Sequence, residues 1–183
     1  YTGRFVSFKG FDLVIRIFKK LILQYPTKYK LILIGGEDLI HSTGLTPDET
    51  VFLETSSDII HVGFISDVHN YLALTDLFLF PSKKEGLPVC IIESLAMGVP
   101  VITFDTRGSN EIVVNDYNGK LIVPNNNPSV EVNEFVNQIE AIVNDKSLNS
   151  LLKNNALKDR FKYSRQNFIN ESLQDYKSFL EHN

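Results

Sequence analysis

The sequence predicts an α/β domain, with a parallel sheet covered by helices on both faces and a helical C-terminal part. Several short runs are almost wholly apolar, as is typical of strands that are buried on both faces. Stretches with a helical period of apolar side chains separate these runs, and strands that alternate with helices form parallel sheets. After a polar break at residues 125–128 the pattern is helical only. These observations favour a Rossmann-like layer, whose ligand crevice lies at the carboxyl ends of the strands.

The elements follow one another in a regular order along the chain. The predicted strands cover residues 30–34, 59–64, 76–81, 100–104 and 119–123. The predicted helices cover residues 9–25, 67–73, 88–97, 131–144, 147–158 and 164–180. The first helix has Phe11 and Phe18 on one face and is stopped by Pro26. The third opens with Pro88 near its first turn and ends at Gly98.

Length and composition bound the class of protein. A chain of 183 residues suits one domain, and we expect an α/β core over residues 1–127 and a helical part over residues 128–183. The formal net charge of −4, without a block of like charges, argues against a nucleic-acid-binding surface. No apolar run reaches the roughly 18 residues of a membrane span and no signal peptide is present, so we expect a cytoplasmic protein. Residues 1–5 read as a strand already under way without an initiator Met, which indicates a piece of a longer protein.

The sulfur-bearing and titratable side chains predict neither a disulfide nor a metal site. Cys90 is the only cysteine and lies in an apolar stretch, so it is interpreted as a core residue. The histidines lack the spacing of metal ligands: they are His41, His61, His69 and His182. Asp-x-Asp, Walker A and Gly-x-Gly-x-x-Gly motifs are absent, which argues against a required divalent metal, a P-loop NTPase and an NAD dehydrogenase.

Residues 81–100 carry the densest set of functional signals. A buried strand ends at Pro81, a polar loop with Gly86 follows, and a helix starts near Pro88. The first N–H groups of that helix have no partner within the helix and lie at the carboxyl edge of the sheet. An anion such as a diphosphate binds well at such a position.

Two glutamates in this segment can face the crevice together. Glu85 lies in the loop before the helix, and Glu93 lies about two turns inside it, on a face that both can share. Carboxylates accept hydrogen bonds from vicinal hydroxyls, so the pair suits a ligand that carries sugar hydroxyls beside a phosphate. The spacing alone, however, is more typical of a solvated helix, and only the surrounding motifs favour a site.

Further motifs surround the two glutamates in a fixed order. They are Phe78-Leu79-Phe80-Pro81-Ser82, then Glu93-Ser94-Leu95-Ala96-Met97-Gly98-Val99-Pro100-Val101-Ile102, then Arg107-Gly108-Ser109-Asn110-Glu111-Ile112-Val113, and Asn118-Gly119. As an ordered set these motifs resemble glycosyltransferase family 4, retaining enzymes of the GT-B fold whose hallmark is two glutamates separated by seven residues. The resemblance extends from Gly3 to at least Val123, and the closing helix looks similar too.

The resemblance implies roles for the residues around the two glutamates. Glu85 matches the glutamate that contacts donor-sugar hydroxyls, and Glu93 matches the one that holds the ribose hydroxyls of the nucleotide. Gly86, Leu87 and Pro88 match the turn whose backbone approaches the sugar and the diphosphate. Pro88 has no N–H, and many relatives carry Gly there, so one donor of that turn is missing.

The resemblance also implies a basic pair and a base-binding region. Gly3-Arg4 and Lys9-Gly10 match residues that neutralise the diphosphate, where fixed cations stabilise the charge of the leaving group. Phe64 and Ile65 lie in a segment that flanks the nucleobase. Phe64 either stacks on the base or fills the core, and of the two we favour the core.

Two residues of the loop after residue 104 keep two interpretations each. Arg107 either faces the crevice or the missing partner domain, or is a solvated loop arginine, in a loop where relatives often have Gly-Gly. Glu111 either orients that loop or touches the ligand.

By resemblance, this chain is the donor-binding half of an enzyme that transfers a sugar from a UDP- or GDP-sugar with retention of configuration. The acceptor, a carbohydrate or a lipid-linked molecule of bacterial polysaccharide or lipopolysaccharide synthesis, would be held by an absent N-terminal domain. Peripheral contact with the inner membrane would come from that domain as well. No cofactor is required, and the fragment alone is expected to be inactive. A nucleotide-sugar epimerase of the same fold and a non-catalytic nucleotide-binding module are the alternatives.

The final predicted helix also relates to the absent domain. Its apolar side chains at helical spacing are Phe168, Leu173, Tyr176 and Leu180. We expect this helix to run towards the missing half, so that in isolation its apolar face packs elsewhere or stays exposed.

Overall fold

Two parallel sheets form the centre of the computed structural model, which describes residues 1–181 of the chain. The first sheet pairs β1 with β2, and the second has the order β3–β4–β5. The strands are β1 (Leu31–Ile34), β2 (Ile59–Gly63), β3 (Phe78–Phe80), β4 (Val101–Phe104) and β5 (Gly119–Ile122). All five predicted strands are therefore present, and His182 lies outside the described residues.

Residues 1–5, here called the leading segment, lie between the two sheets. The segment runs parallel to β1, with the N–H of Gly3 donating to the carbonyl of Ile34 at 2.9 Å. On its other side the ring of Tyr1 stacks on Phe80 of β3, with centroids 6.1 Å apart. The spatial order is therefore β2, β1, leading segment, β3, β4, β5. The order reverses at the leading segment, and a crevice opens at such a point.

Seven helices in the described part of the chain surround the sheets. They are α1 (Phe11–Gln24), α2 (Pro47–Thr55), α3 (Val68–Leu72), α4 (Val89–Ala96), α5 (Pro128–Asn144), α6 (Lys146–Asp159) and α7 (Arg165–Glu181). Helix α5 packs on α1 and against β4 and β5, whereas α4 packs on α6 and against β3 and β4. The predicted α/β architecture with helices on both faces and additional C-terminal helices is confirmed.

The core contains aromatic side chains from β3, β4 and α5. Phe78, Phe104 and Phe135 are almost completely buried, and the rings of the last two meet edge-on at 5.1 Å. Every residue of β3 and β4 is buried, as expected for strands that are covered on both faces. Burying each such large side chain stabilises the fold by roughly 1.5–3 kcal/mol.

The prediction for the second strand was wrong in one respect. β2 was expected to be buried on both faces, but Ile60 is 47% exposed. β2 pairs only with β1 and forms the edge of the sheet. An apolar run predicts a strand, but it does not reveal whether a neighbour covers both of its faces.

The start of the first helix also differs from the prediction. A short 3-10 turn covers Ser7–Lys9, and α1 begins only at Phe11. Gly10 between them has a left-handed φ of 73°. A Cβ added there would lie 2.0 Å from the carbonyl oxygen of Pro81, so only glycine fits this close approach.

Helix α2 is present although the apolar periodicity did not predict it. None of its residues is buried, so it lacks the apolar stripe that marks a helix in a sequence. Its start is instead fixed by a capping box: Thr46 accepts from the N–H of Glu49, and the Glu49 side chain accepts from the N–H of Thr46.

Helix α7 carries an exposed apolar face. The four apolar side chains named from the sequence, Phe168, Leu173, Tyr176 and Leu180, are all more than half exposed, and so is Phe179. Exposure of that face was one of the two outcomes expected for the final helix. No helix of residues 1–181 is long and apolar enough to cross a membrane.

Candidate functional site

Lys9 and Glu85, which lie 76 positions apart in the sequence, form an ion pair at the carboxyl ends of the leading segment and β3. The Nζ of Lys9 lies 2.6 Å from each carboxylate oxygen of Glu85. The Oγ of Ser82 donates to Oε1 of Glu85, also at 2.6 Å. The Glu85 side chain is only 8% exposed, so the chain itself holds this carboxylate in one place.

The loop after β4 packs against the loop that carries Glu85. Gly108 has a left-handed φ of 86°, and a Cβ added there would lie 2.4 Å from the carbonyl oxygen of Gly86. Gly86 and Leu87 are themselves exposed. The contact therefore supports the backbone at Gly86 while this turn stays accessible.

The start of α4 follows directly on this loop. Pro88 is the buried N-cap residue, and no side chain makes a capping hydrogen bond. The first N–H groups of α4 thus remain available to an anion, although Pro88 contributes none.

Glu93 lies on the exposed side of α4, one residue before the buried Ser94. Partial burial raises the pKa of the Glu93 carboxyl above its ordinary value. Burial, followed by the negative charges of Glu85 and Glu93, raises the pKa of the Cys90 thiol to about 12. Both carboxylates therefore lie close to Cys90, which is partly buried against the core and stays protonated at neutral pH.

The two predicted phosphate ligands, Arg4 and Lys9, both approach the ring of Phe8. The Arg4 guanidinium carbon lies 5.5 Å from the ring centroid, and the Lys9 ammonium lies 5.9 Å from it. Cations at such distances are attracted to the negative face of an aromatic ring. The structure thus brings the basic pair and Glu85 to one end of the sheet.

Asp38 is part of this region and was missed by the sequence analysis. Its Oδ2 oxygen accepts a hydrogen bond from the Arg4 guanidinium at 2.6 Å and lies 3.2 Å from Nδ1 of His41. Hydrogen bonds lower the pKa of the Asp38 carboxyl to about 2, first the one from the N–H of Ile40 and then those from His41 and Arg4. Asp38 lies in a loop without a recognisable motif, so nothing in the sequence pointed to it.

The loops after β1 and β2 form the second side of the crevice. They are joined where the N–H of Gly35 donates to the carbonyl of Gly63 at 2.8 Å. The chain then turns outward through a left-handed φ of 80° at Gly63. As a result Phe64 is 95% exposed, and the expectation that it fills the core is wrong. Ile65 is half-buried.

A second ion pair links the Glu85 loop to the start of α5. Lys83 Nζ lies 2.6 and 2.9 Å from the two carboxylate oxygens of Glu131, whose side chain is only 1% exposed. The two residues are 48 positions apart. No local pattern pairs residues so far apart, and this contact was not predicted.

Arg107 and Glu111 in the loop after β4, each of which has two interpretations from the sequence, have exposed side chains. Arg107 forms no hydrogen bond or ion pair within the described part of the chain. The carbonyl oxygen of Glu111 accepts from the Tyr163 hydroxyl at 3.4 Å. Exposure of Arg107 fits each of its interpretations, and the role of the Glu111 side chain stays a prediction.

The cavities of the chain lie on both ends of the sheet. One of about 330 Å³ adjoins the candidate site and is lined by Phe8, Gly10, Pro81 and Lys83 among others. A larger one, of about 540 Å³, surrounds Tyr1 at the amino ends of β1 and β3, remote from the chemistry described above. Residues 1–181 contain no group of three or more His, Cys, Asp or Glu side chains that could hold a metal ion.

Comparison with known sequences gives a family match over most of the chain. The family described as "Glycosyl transferases group 1" matches residues 1–159. The capsular polysaccharide biosynthesis glycosyltransferase CapM of Staphylococcus aureus is 29% identical over 182 residues, which are 99% of this chain and 46% of that protein. The UDP-Gal:alpha-D-GlcNAc-diphosphoundecaprenol alpha-1,3-galactosyltransferase of Escherichia coli is 33% identical over 123 residues, 67% of this chain and 30% of that protein. The chain thus spans less than half of the length of these relatives.

Comparison with solved structures gives the same fold. Anabaena Alr3699/HepE in complex with UDP has a TM-score of 0.79 at 23% identity, covering 97% of this chain and 47% of that one. The C-terminal domain of the group 1 glycosyl transferase LpcC from Francisella tularensis has a TM-score of 0.67 at 21% identity, covering 88% of this chain and 82% of that domain. At these identities the likeness concerns the fold.

Proposed function

This chain belongs to the glycosyl transferases group 1 family, and from that premise we propose that it is the donor-binding domain of a retaining glycosyltransferase of family 4. The observation that carries the proposal is the cluster at the point where the strand order reverses. There Lys9, Glu85 and the Gly86 turn meet beside the uncapped start of α4. Such a cluster offers a cation, a carboxylate and free N–H groups within one crevice.

We propose that each part of a nucleotide sugar has its own partner in this crevice. The diphosphate lies at the start of α4, with the Gly86–Leu87 backbone on one side and the Arg4–Lys9 pair on the other. Glu85 accepts hydrogen bonds from hydroxyls of the transferred sugar. Glu93 accepts from the ribose hydroxyls. A charge-assisted hydrogen bond of this kind contributes about 1.5–3 kcal/mol when it is shielded from water.

In the proposed reaction the bond between the anomeric carbon and the diphosphate oxygen breaks, and a bond to the acceptor hydroxyl oxygen forms on the same face. The proton of that hydroxyl passes to an oxygen of the leaving diphosphate. The leaving diphosphate gains negative charge, which Lys9 and Arg4 are placed to stabilise. Glu85 orients the sugar. It lies beside a lysine in a crevice and is not one of two carboxylates facing each other across the bond, as in a glycosidase.

We propose UDP as the nucleotide. The E. coli relative is named for a UDP-Gal donor, and the Anabaena structure with the same fold contains UDP. On the base side, the exposed Phe64 offers a ring for stacking. The names of the relatives also suggest a carbohydrate or lipid-linked acceptor in bacterial polysaccharide synthesis.

We propose that residues 1–183 form one donor domain, with the α/β core at residues 1–127, and that the acceptor is held by a separate N-terminal domain. The solved C-terminal domain from F. tularensis, which this chain covers over most of its length, supports that division. Without the opposite domain the crevice stays open to water, so this chain alone binds the donor weakly and transfers no sugar.

Calorimetric titration of this chain with UDP, GDP and ADP tests the proposal directly. The expected result is saturable binding of UDP, weakened at least tenfold in Glu93→Ala, as loss of a charge-assisted hydrogen bond of about 1.5 kcal/mol or more requires. Glu134→Ala, which removes the same charge from an exposed position on α5, serves as a control for a general change in charge. Absence of binding by all three nucleotides at millimolar concentration would contradict the proposal, and tighter GDP binding would replace UDP as the nucleotide.

A further inference from the structure

Glu131 is the most completely buried carboxylate next to the candidate site, and the site itself does not use it. It lies in the first turn of α5, with only 1% of its side chain exposed. One of its oxygens accepts from the N–H of Asn125 at 2.9 Å. The Lys83 ammonium neutralises the carboxylate, with its Nζ 2.6 Å from one oxygen and 2.9 Å from the other. A buried carboxylate depends strongly on its one cation, because breaking such a pair leaves an uncompensated charge.

Lys83 reaches this carboxylate from the loop that carries Glu85. Its side chain is 47% exposed, but its ammonium is fixed from several directions. It lies 5.2 Å from the centroid of the buried Phe104 ring and 3.5 Å from the carbonyl oxygen of Asn125. The ion pair therefore joins the loop after β3 to the connection between β5 and α5.

The position of Lys83 in the loop makes this link relevant to Glu85. Lys83 follows Ser82, whose hydroxyl donates to Glu85, and it precedes Glu85 by two residues. Among the described residues, the Glu85 carboxylate is held by Lys9, which lies just before α1, and by Ser82 within the loop itself. The Lys83–Glu131 pair is a separate tie that joins the segment before Glu85 to the start of α5.

We propose that Lys83 and Glu131 are positioning residues that hold the Glu85 loop in the geometry needed for recognition of the transferred sugar. They touch neither nucleotide nor sugar and act through Glu85. This inference rests on the proposed function, since it assigns to the pair the selectivity of the sugar subsite. Its physical basis is that a small displacement of a positioned group weakens a short charge-assisted hydrogen bond steeply.

The test compares Lys83→Met with Lys84→Met in this chain. Methionine keeps an apolar stem beside Phe104 and removes the ammonium, whereas Lys84 is exposed and forms no hydrogen bond or ion pair in the described part of the chain. Amide hydrogen exchange followed by mass spectrometry measures how readily the backbone of the loop opens. Calorimetry measures binding of UDP, UDP-glucose, UDP-galactose and their N-acetylamino counterparts.

We expect faster amide exchange only in the loop, and weaker binding only of the UDP-sugars. In Lys83→Met, amides of residues 82–87 exchange faster while β4 is unchanged. Affinity for the preferred UDP-sugar falls about tenfold, as loss of one charge-assisted hydrogen bond requires, while affinity for UDP changes less than about twofold. Lys83→Arg restores both readouts, Glu131→Gln reproduces the loss, and Lys84→Met behaves as the parent chain.

The outcomes separate this inference from the proposed function. Unchanged exchange in the loop of both Lys83→Met and Glu131→Gln overturns the positioning role whatever the ligand results. An equal fall in affinity for UDP and for every UDP-sugar also overturns it, because the pair then only stabilises the domain. If the parent chain binds no nucleotide or nucleotide sugar, the proposed function fails, and the sugar-positioning role fails with it even if the loop exchanges faster.

Discussion

The two sides of the crevice are built differently, although both consist of loops at the carboxyl ends of parallel strands. On the β3–β4–β5 side the strands are buried, and the loops are tied by ion pairs and a close backbone contact between Gly108 and Gly86. On the β1–β2 side the edge strand is half-exposed. Its loops present Leu39, Ile40 and Phe64 to solvent, each more than 85% exposed.

This difference indicates which parts of a ligand the free chain is prepared to receive. The side proposed for sugar and diphosphate already has its charged groups in place, so binding there orders little further. The side proposed for the base consists of exposed apolar side chains that gain burial only when something covers them. We therefore expect comparable substitutions to lower the free energy of unfolding more on the first side than on the second.

The largest expected effect comes from the same substitution made in the two sheets. Ile102→Ala in β4 removes a completely buried side chain and is expected to lower the free energy of unfolding by roughly 2–5 kcal/mol. Ile60→Ala in the exposed edge strand β2 should lower it by about 1 kcal/mol or less. Urea unfolding followed by circular dichroism measures both. Equal losses would mean that the two sheets are equally covered.

A second contrast uses two glycines with left-handed backbone. Gly108→Ala places a Cβ 2.4 Å from the carbonyl of Gly86, so we expect a loss of about 2–4 kcal/mol in the free energy of unfolding from backbone strain and overpacking together. Gly63→Ala meets no atom within 4 Å and should cost only the strain of about 1–2 kcal/mol.

Nucleotide binding extends this second contrast. Gly108→Ala should also weaken donor binding, because the Gly86 turn must move to admit the Cβ. Calorimetry with UDP measures this effect, with Gly63→Ala as the matched variant. A Gly108→Ala chain as stable as the Gly63→Ala chain would contradict the packing of the two loops.

The base side should respond in binding alone. Phe64→Ala removes a ring that is 95% exposed, so the free energy of unfolding should change by less than about 0.5 kcal/mol. If Phe64 stacks on the base, UDP binding should weaken by about 1–3 kcal/mol. Leu39→Ala, an equally exposed change on the neighbouring loop, is the control. Unaltered UDP affinity in Phe64→Ala would remove this residue from the site.

The smallest expected effect is a pH dependence at Glu93. Partial burial raises the pKa of this carboxyl, so it takes up a proton at a higher pH than an ordinary glutamate. The ribose hydroxyls need the carboxylate as acceptor, so affinity should fall as the pH is lowered from neutrality and this carboxyl takes up its proton.

Calorimetry of a UDP-sugar at several pH values measures this fall. A UDP-sugar is preferred to UDP, whose terminal phosphate titrates near pH 6 as phosphate monoesters do. Glu93→Gln binds more weakly and should show a flatter profile. A fall of the same size in Glu93→Gln would assign the pH dependence to another group.

Apolar periodicity predicted most of the strands and helices, but it failed where capping or a turn, rather than burial, fixes the structure. The five strands and the first and last helices were readable because apolar side chains recur at the period of each element. Helix α2 was missed because its start is set by the Thr46–Glu49 capping box and none of its residues is buried. Phe64 was assigned to the core because an aromatic residue after an apolar strand usually packs inside, whereas the turn at Gly63 directs it outward.

The candidate site was predictable in its members but not in its connections. Motif order pointed to Glu85, Glu93, Arg4 and Lys9 as ligand-binding residues, and these roles remain predictions. The pairing of Lys9 with Glu85 and that of Lys83 with Glu131 depend on which loops meet above the sheet. The partners of the first pair are 76 positions apart in the sequence and those of the second pair are 48 positions apart, and no local sequence pattern extends over such separations.

By itself the sequence determined the alternation of strands and helices, the parallel sheet that follows from it, and the loop–helix segment where an anion can bind. These features depend on apolar periodicity and on glycine and proline at fixed places, which are properties of a few neighbouring residues. Only the tertiary structure decided that β2 is an edge strand, that Phe64 is exposed, and that two long-range ion pairs hold the Glu85 loop. Each of these depends on what a distant segment covers or neutralises, because burial and charge pairing are properties of the packed chain.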